Sequence, residues 1–470
     1  MNLIYNVKDK PKFGQLIMFA FQQLLAIMAA TIAVPAIVGN GMTASAALFG
    51  AGVGTIVYQL FTRFRSPVFL GSSFAFLGSM FAAFGGAASM EMGYLGLVIG
   101  AAFAALVYAV IAVIVKFAGV KWIGKLMPAV VIGPIVAIIG LCLAGNAIGD
   151  MVKGDVMNAA GDAAVASPYA ALCCALVTLF VVILCSTYGG KKLRLIPFII
   201  GILAGYFVAL LFTLIGNNNN IDALKIIDFT PFKNLTENGA VGFSTFISMP
   251  EFTIIKAWNG FKTLTPAYVS TIAAAYIPVA FVVFAEHIAD HKNLSTIIKQ
   301  DLLEDPGLSN TLLGDGIGSF AGALFGGCPN TTYGESIGCV AITGNASVVS
   351  ITAAAILAML AAFVSPFVAF LDSIPSCVMG GVCMTLYGFI AVSGLKMLQP
   401  VDLNENRNLF VASVILISGV GGLTVQFTLA GGQVVTITTV ACALILGVVT
   451  NLMLSGKKKS GEDEPQQMIK

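Results

Sequence analysis

Of the 22 acidic residues in this 470-residue chain, only Glu286, Asp290, Asp315 and Glu335 lie within strongly apolar stretches. Ionisable side chains at membrane depth are costly and mark function by default. Glu286 follows the apolar run IPVAFVVFA, and Asp290, four residues on, shares its helical face. His287 stands one residue off that face, and His291 is expected at the cytoplasmic mouth, solvated. Glu335 comes just after a cluster of Pro, Gly and hydroxyl residues. Asp315 sits among glycines, where a structural hydrogen-bonded acid and a coupling role are equally open. No Lys or Arg is expected at the same depth. A carboxyl buried without a cation tends to hold a proton, so it can couple proton entry to cargo binding, and it can accept hydrogen bonds from N–H groups. The implied cargo is a small polar molecule with N–H donors and carbonyl acceptors, neutral or cationic.

The rest of the chain must hold these acids in a membrane. Hydrophobic residues make up 58% of it and charged residues 10%, against about 25% in soluble proteins, and the mean hydropathy is +0.95. Apolar runs of about 20 residues, enough to cross the hydrocarbon, recur from end to end. The composition specifies an all-α polytopic membrane protein and excludes a secreted, cytosolic or nucleic-acid-binding domain. A net charge of +2 points to no anionic partner. The first apolar segment is too long for a signal peptide and is read as the first span. The nine cysteines, without a CxxC pair, read as small apolar fillers, and two histidines argue against a metal site. No cofactor is expected beyond the proton as coupling ion.

Fourteen spans are predicted, at 14–37, 43–61, 66–86, 93–117, 126–148, 168–188, 196–216, 265–289, 309–326, 330–344, 346–370, 375–395, 407–425 and 436–455. With both termini in the cytoplasm, all but Lys153, Lys225, Lys233, Lys256 and Lys262 of the 24 basic residues lie inside, as the positive-inside rule requires. Lys121, Lys125, Lys191, Lys192 and the lysines of the tail are among the inside set. The polar stretch 217–263 divides the spans seven and seven. FGAGVGTIVYQLF from Phe49 matches LGDGIGSFAGALF from Leu313, Ser72-Ser73-Phe74-Ala75 matches Thr331-Thr332-Tyr333-Gly334, and PAVVIG from Pro128 matches PSCVMG from Pro375. Each pair is seven spans apart. Seven is odd, so the second copy enters from the opposite side, an inverted repeat of the kind many secondary transporters use. The predicted organisation is a first repeat over 1–216, an external linker over 217–263, a second repeat over 264–456 and a solvated cytoplasmic tail over 457–470.

Segments three and ten make poor continuous helices, because SPVFLGSSFAF from Ser66 and GGCPNTTYGESIG from Gly326 collect Pro, Gly and hydroxyl residues at mid-segment. Irregular backbone at membrane depth is tolerated only under protein or a water-filled cavity. Each segment should be a short extended piece leading into a half-helix whose first N–H groups can donate to a substrate carbonyl. The glycines of segments two and nine are read as allowing close helix packing.

The stretch Asn330 to Gly338, followed by Ala341-Ile342-Thr343-Gly344, resembles the signature of the nucleobase–ascorbate transporter family. So do FAEHIAD at Phe284 to Asp290 and GSSFAF from Gly71. The resemblance covers the whole chain and is nearest to the family's bacterial uracil permeases. It implies a proton symporter in the cell membrane, a homodimer with core and gate domains each drawn from both repeats. Glu286 and Glu335 would accept the N–H groups of the base, the backbone amides of Phe74 and Gly334 would donate to its carbonyls, and Ala30 and Tyr333 would line the pocket. Ser336 joins the site at the position where the signature usually has Asn. Proton coupling would fall to Glu286 with Asp290 in its neighbourhood.

Two readings of the cargo remain. The uracil branch usually has His where this chain has Asp290, which is closer to the xanthine and uric acid branch; that purine branch generally has Gln where this chain has Glu335. Uracil is favoured by the long segment-ten motif. Anion transporters of the same architecture would be expected to lack two site carboxylates. An intramembrane aspartyl protease would carry GxGD, whereas Leu313-Gly314-Asp315-Gly316 has the residues out of order.

Overall fold

The computed structural model describes residues 3–119, 122, 126–158, 163–190, 193–236, 241–428 and 434–455. Lys121, Lys125, Lys191, Lys192 and the predicted tail 457–470 lie outside them. Among the described residues, eight helices are long and apolar enough to cross a membrane: Phe13–Val38, Ala44–Phe61, Met90–Ala118, Ala129–Met151, Pro168–Tyr188, Pro197–Asn219, Pro266–Ile298 and Ser376–Met397. Val348–Ala361, Asn406–Val420 and Thr439–Leu454 are shorter apolar helices. Helix starts carry the expected caps. Thr43 and Ser89 accept from the backbone N–H of Ala46 and Met92, and Thr265 accepts from Tyr268 ahead of Pro266 at the first helical position.

Segments three and ten are broken. Strand β1 (Leu70–Ser72) runs into a 3₁₀ turn, Phe74–Phe76, and the helix Leu77–Gly85; strand β2 (Asn330–Thr332) runs into the helix Gly334–Thr343. The two strands pair with each other, antiparallel, in the register Leu70 to Thr332, Gly71 to Thr331 and Ser72 to Asn330. Ser73 N donates to Pro329 O at 2.9 Å, extending the ladder by one bond.

The helices sort into two groups by what they touch. Phe13–Val38, Ala44–Phe61, Met90–Ala118, Pro266–Ile298, Leu308–Gly326, Val348–Ala361 and both broken segments pack mainly on one another. Ala129–Cys142, Pro168–Tyr188, Pro197–Asn219, Ser376–Met397, Asn406–Val420 and Thr439–Leu454 form the second group. Backbone bonds from Ile4 to Gly344, Ala346 to Tyr5 and Val348 to Val7 tie the N-terminal residues to the end of the Gly334–Thr343 helix.

Two features depart from the sequence expectation. The fold is not purely helical, because strands β3 (Val425–Thr428) and β4 (Val434–Ile437) form an antiparallel hairpin between the last two helices. The stretch is rich in Val, Thr and Phe, which favour extended backbone. The eighth helix does not end near 289 but continues to Ile298, so His291 is fully buried rather than solvated.

Helix Ala44–Phe61 lies along Leu308–Gly326, the segment whose glycine spacing its own matches, with glycines at the contact. A methyl group added at Gly318 would stand 2.7 Å from Gly54 O, and one at Gly326 2.8 Å from Ala46 O. Gly318→Ala should therefore cost about 1–3 kcal/mol through overpacking and lower the melting temperature of the detergent-solubilised protein. Gly14→Ala, at a position with open space, should leave the melt where it is; equal melts for both variants would contradict the close-packing account.

Candidate functional site

The starts of both half-helices face a small cavity of about 50 Å³. It is lined by Phe74 and Ala75 at the start of the first half-helix, Thr331 and Thr332 from β2, Tyr333, Gly334 and Glu335 at the start of the second half-helix, Glu286 from the eighth span, and Val136, Ile139 and Ile390 from the second helix group. The cavity thus lies where the two helix groups meet. One wall carries hydrogen-bonding groups and the other is aliphatic. Phe74 and Gly334 are the first residues of their helices, so their N–H groups belong to the donors that a helix leaves without internal partners. Nothing stands within 4 Å of where a Gly334 side chain would begin.

The Tyr333 ring lies against Gly71 on β1, where any Cβ would run into it. Its hydroxyl donates to Ser72 O at 2.7 Å, which fixes the ring as part of the cavity wall. Phe74 meets Tyr387 edge-on, ring centroids 5.7 Å apart, so an aromatic contact joins the two helix groups beside the cavity.

Of the residues singled out in the sequence, the cavity brings together Glu286, Glu335, Phe74, Tyr333 and Gly334. Asp290, Ser336 and Ala30 are not in its lining. The Asp290 carboxylate accepts from Thr332 Oγ1 at 2.6 Å and ties the eighth span to β2. Ser336 Oγ accepts from Gln23 Nε2 at 2.5 Å and from Phe69 N at 3.3 Å, which binds the first span and the start of segment three to the second half-helix. Ala30 is buried within the first helix. Asp315 sits with its Oδ2 2.7 Å from His287 Nδ1, while His287 Nε2 is 3.0 Å from Thr311 Oγ1; His287 and Asp315 are both fully buried. The His291 ring stacks on His287 with centroids 4.0 Å apart, and its Nε2 lies 2.7 Å from the Tyr58 hydroxyl, which donates to Ser66 Oγ.

Sequence reasoning missed the aliphatic wall, Gln23 and the role of Thr332. Gln23 had a signal, as a polar residue in an apolar helix. Val136, Ile139 and Ile390 had none, because aliphatic residues in apolar helices are the norm.

A second, larger cavity of about 990 Å³ shares Phe74, Ala75 and Ile139 with the first. It runs between the helix groups to Thr263 and Thr265, at the end of the polar stretch 217–263, and its polar lining is Asn146, Gln426, Tyr268 and several threonines, with no charged side chain among the described residues.

Comparison with known proteins places these features. The model of a permease family, the xanthine/uracil permeases, matches residues 14–428. The uracil permease of Bacillus caldolyticus is 37% identical over 464 residues, covering 98% of this chain and 96% of its own. That of Bacillus subtilis (strain 168) is 37% identical, covering 98% and 97%, and that of Escherichia coli (strain K12) is 33% identical, covering 95% and 94%. Among solved structures, the transmembrane domain of the cyanobacterial bicarbonate transporter BicA aligns with a TM-score of 0.56 at 13% identity, over 95% of this chain and all of that one. The murine anion transporter Slc26a9 aligns at 0.60 and 13%, over 95% of this chain and 69% of that one. At such identity the likeness shows the fold alone.

The cavity wall gives a direct test. Gly71→Ala should push the Tyr333 ring off the strand and cost about 1–3 kcal/mol, whereas Tyr333→Phe, which removes one hydrogen bond, should cost about 1 kcal/mol. Thermal melts of the two variants in the same detergent should fall in that order, and the reverse order would mean that the ring does not rest on Gly71.

Proposed function

The chain belongs to the nucleobase–ascorbate transporter family of permeases, and from that premise we propose that this multi-pass membrane protein imports uracil together with a proton by alternating access. The observation that carries the reading is the cavity between the two helix groups, with two carboxyl groups and two helix starts on one side and only aliphatic side chains supplied by the other. Uracil presents two N–H donors and two carbonyl acceptors around a flat ring. Glu286 and Glu335 accept the N–H groups, the N–H groups of Phe74 and Gly334 donate to the carbonyls, and the Tyr333 and Phe74 rings supply apolar contact.

In this reading the group holding both broken segments is the core, and the other is the gate. The gate's apolar wall moves against the core while the site stays fixed on it, exposing the base to each side in turn. The large cavity, at the linker end, is the entry from outside. Fourteen spans in two inverted repeats, cytoplasmic termini and a homodimer in the cell membrane complete the proposal. Glu286 takes up the coupling proton from outside and loses it to the cytoplasm. Asp290, which resembles the purine branch, is engaged by Thr332 outside the cavity lining, and the 33–37% identity to uracil permeases supports uracil over xanthine.

Uptake of labelled uracil into proteoliposomes tests the whole reading. It should rise with an inward proton gradient and resist excess unlabelled xanthine; accumulation of xanthine in place of uracil would reassign the cargo. Glu335→Gln should weaken uracil binding by about 10- to 100-fold, the weight of a charge-assisted hydrogen bond. Glu286→Gln should leave uptake without a response to the gradient, and an undiminished response would remove Glu286 from the proton's path.

A further inference from the structure

Between Asn330 and Ser336, four of the six polar side chains have a structural partner, and Glu335 lines the cavity. Asn330 Nδ2 donates to Gly50 O at 3.1 Å, Thr332 Oγ1 to Asp290, and Tyr333 OH to Ser72 O, while Ser336 Oγ accepts from Gln23 and Phe69. One hydroxyl in the stretch is different. Thr331 is 3% exposed, lines the small cavity with Glu286 and Glu335, and its Oγ1 has no hydrogen-bond partner. A buried hydroxyl without a partner is disfavoured, so native proteins retain few without a reason.

The backbone explains why this side chain is free. Successive side chains of a strand point to opposite faces. Thr332 is turned toward Asp290 on the eighth span, and Thr331 takes the other face, which it shares with Tyr333. Its partner across the ladder is Gly71, which has no side chain with which to satisfy it. The Tyr333 ring lies over Gly71, but its hydroxyl is spent on Ser72. Thr331 is thus a residue of the cavity wall, and its buried hydroxyl has no hydrogen-bond partner within the protein.

We propose that the Thr331 hydroxyl is a further binding group for the cargo, donating a hydrogen bond to a ring carbonyl of the pyrimidine. The proposal rests on the uracil reading and deepens it. In that reading each carbonyl receives one backbone N–H, and a carbonyl oxygen has two lone pairs, so a second donor is accommodated on one of them. A hydroxyl on the strand that leads directly into Gly334 is placed for that role. Such a contact discriminates: a site built around a carbonyl rejects an analogue whose acceptor is weaker, because its own buried donor is then left unpaired.

The test is equilibrium binding to the purified full-length protein of uracil, 2-thiouracil and 4-thiouracil, in which sulfur replaces one carbonyl oxygen at a time. Three proteins are compared: wild type, Thr331→Val, which keeps the shape and loses the hydroxyl, and Thr331→Ser, which keeps the hydroxyl. Thr331→Val should bind uracil about tenfold more weakly, with Thr331→Ser close to wild type. Wild type should discriminate against one thio analogue more than the other, and Thr331→Val should lose that preference, as expected when the two changes remove the same contact. Uracil affinity unchanged in Thr331→Val, equal losses in Val and Ser, or a thio preference that survives in Thr331→Val would each overturn the proposal while leaving the uracil reading in place. Wild-type protein that binds no uracil would overturn the reading and the proposal with it.

Discussion

The structure depends on six residues that pair across the middle of the chain. Backbone that leaves the helix inside a membrane protein must find hydrogen-bond partners within the protein, because hydrocarbon offers none. Leu70–Ser72 and Asn330–Thr332 meet this need for each other. Neither strand has another strand to pair with among the described residues, and a three-residue strand alone would leave its amides unpaired. The pairing has consequences on both sides of the ladder. It fixes where each half-helix starts, and hence where the N–H groups of Phe74 and Gly334 are presented. It sets Gly71 opposite Thr331, making a smooth floor on which Tyr333 rests, and it delivers Thr332 to Asp290.

Around that ladder the polar side chains divide between support and exposure. Gln23, Asn330, Thr332 and Ser336 form bonds that link the first, second, eighth and tenth segments. The His287–Asp315 and His291–Tyr58 contacts do the same along the Glu286 helix, joining it to the ninth and second spans. Glu286 is therefore carried on a helix anchored one and five residues further on. Precise placement of a binding group depends on such supporting contacts as much as on the group itself.

The reach of the sequence can be followed residue by residue. The broken segments were legible because Pro67 and Pro329 with neighbouring Gly and hydroxyl residues are incompatible with a continuous helix. Glu286 and Glu335 were legible because a carboxyl in an apolar run is rare enough to carry meaning. The burial of His291 was not, since it depends on a helix continuing past its apolar part and on Tyr58, a partner 233 positions away. Ser336 was marked by its place in the motif, yet its hydroxyl is engaged by Gln23, a contact that exists only once the first span is packed. Chemistry carried by local residue type shows in a sequence. A choice between two possible partners is made by tertiary contacts, and single-sequence patterns hold no record of it.

The uneven distribution of polar groups also suits motion. The hydrogen bonds traced around the site lie almost wholly within the first helix group, while the second offers Val136, Ile139 and Ile390 to the cavity. Sliding one apolar surface along another exchanges dispersion contacts for similar ones, whereas moving a hydrogen-bonded surface would leave buried donors and acceptors unpaired at each intermediate position. Under the proposed alternating access, an aliphatic wall facing a polar one lets the second group shift without disturbing the bonds that shape the site. The larger cavity follows the same logic. Its threonines, Asn146 and Gln426 offer a neutral molecule hydrogen bonds in place of water, and among the described residues it has no fixed charge to trap that molecule on the way. In the proposed transport cycle a base entering along it exchanges water for protein in steps and meets the carboxyl groups only where the ladder holds them, on the side of the cavity that this proposal keeps fixed.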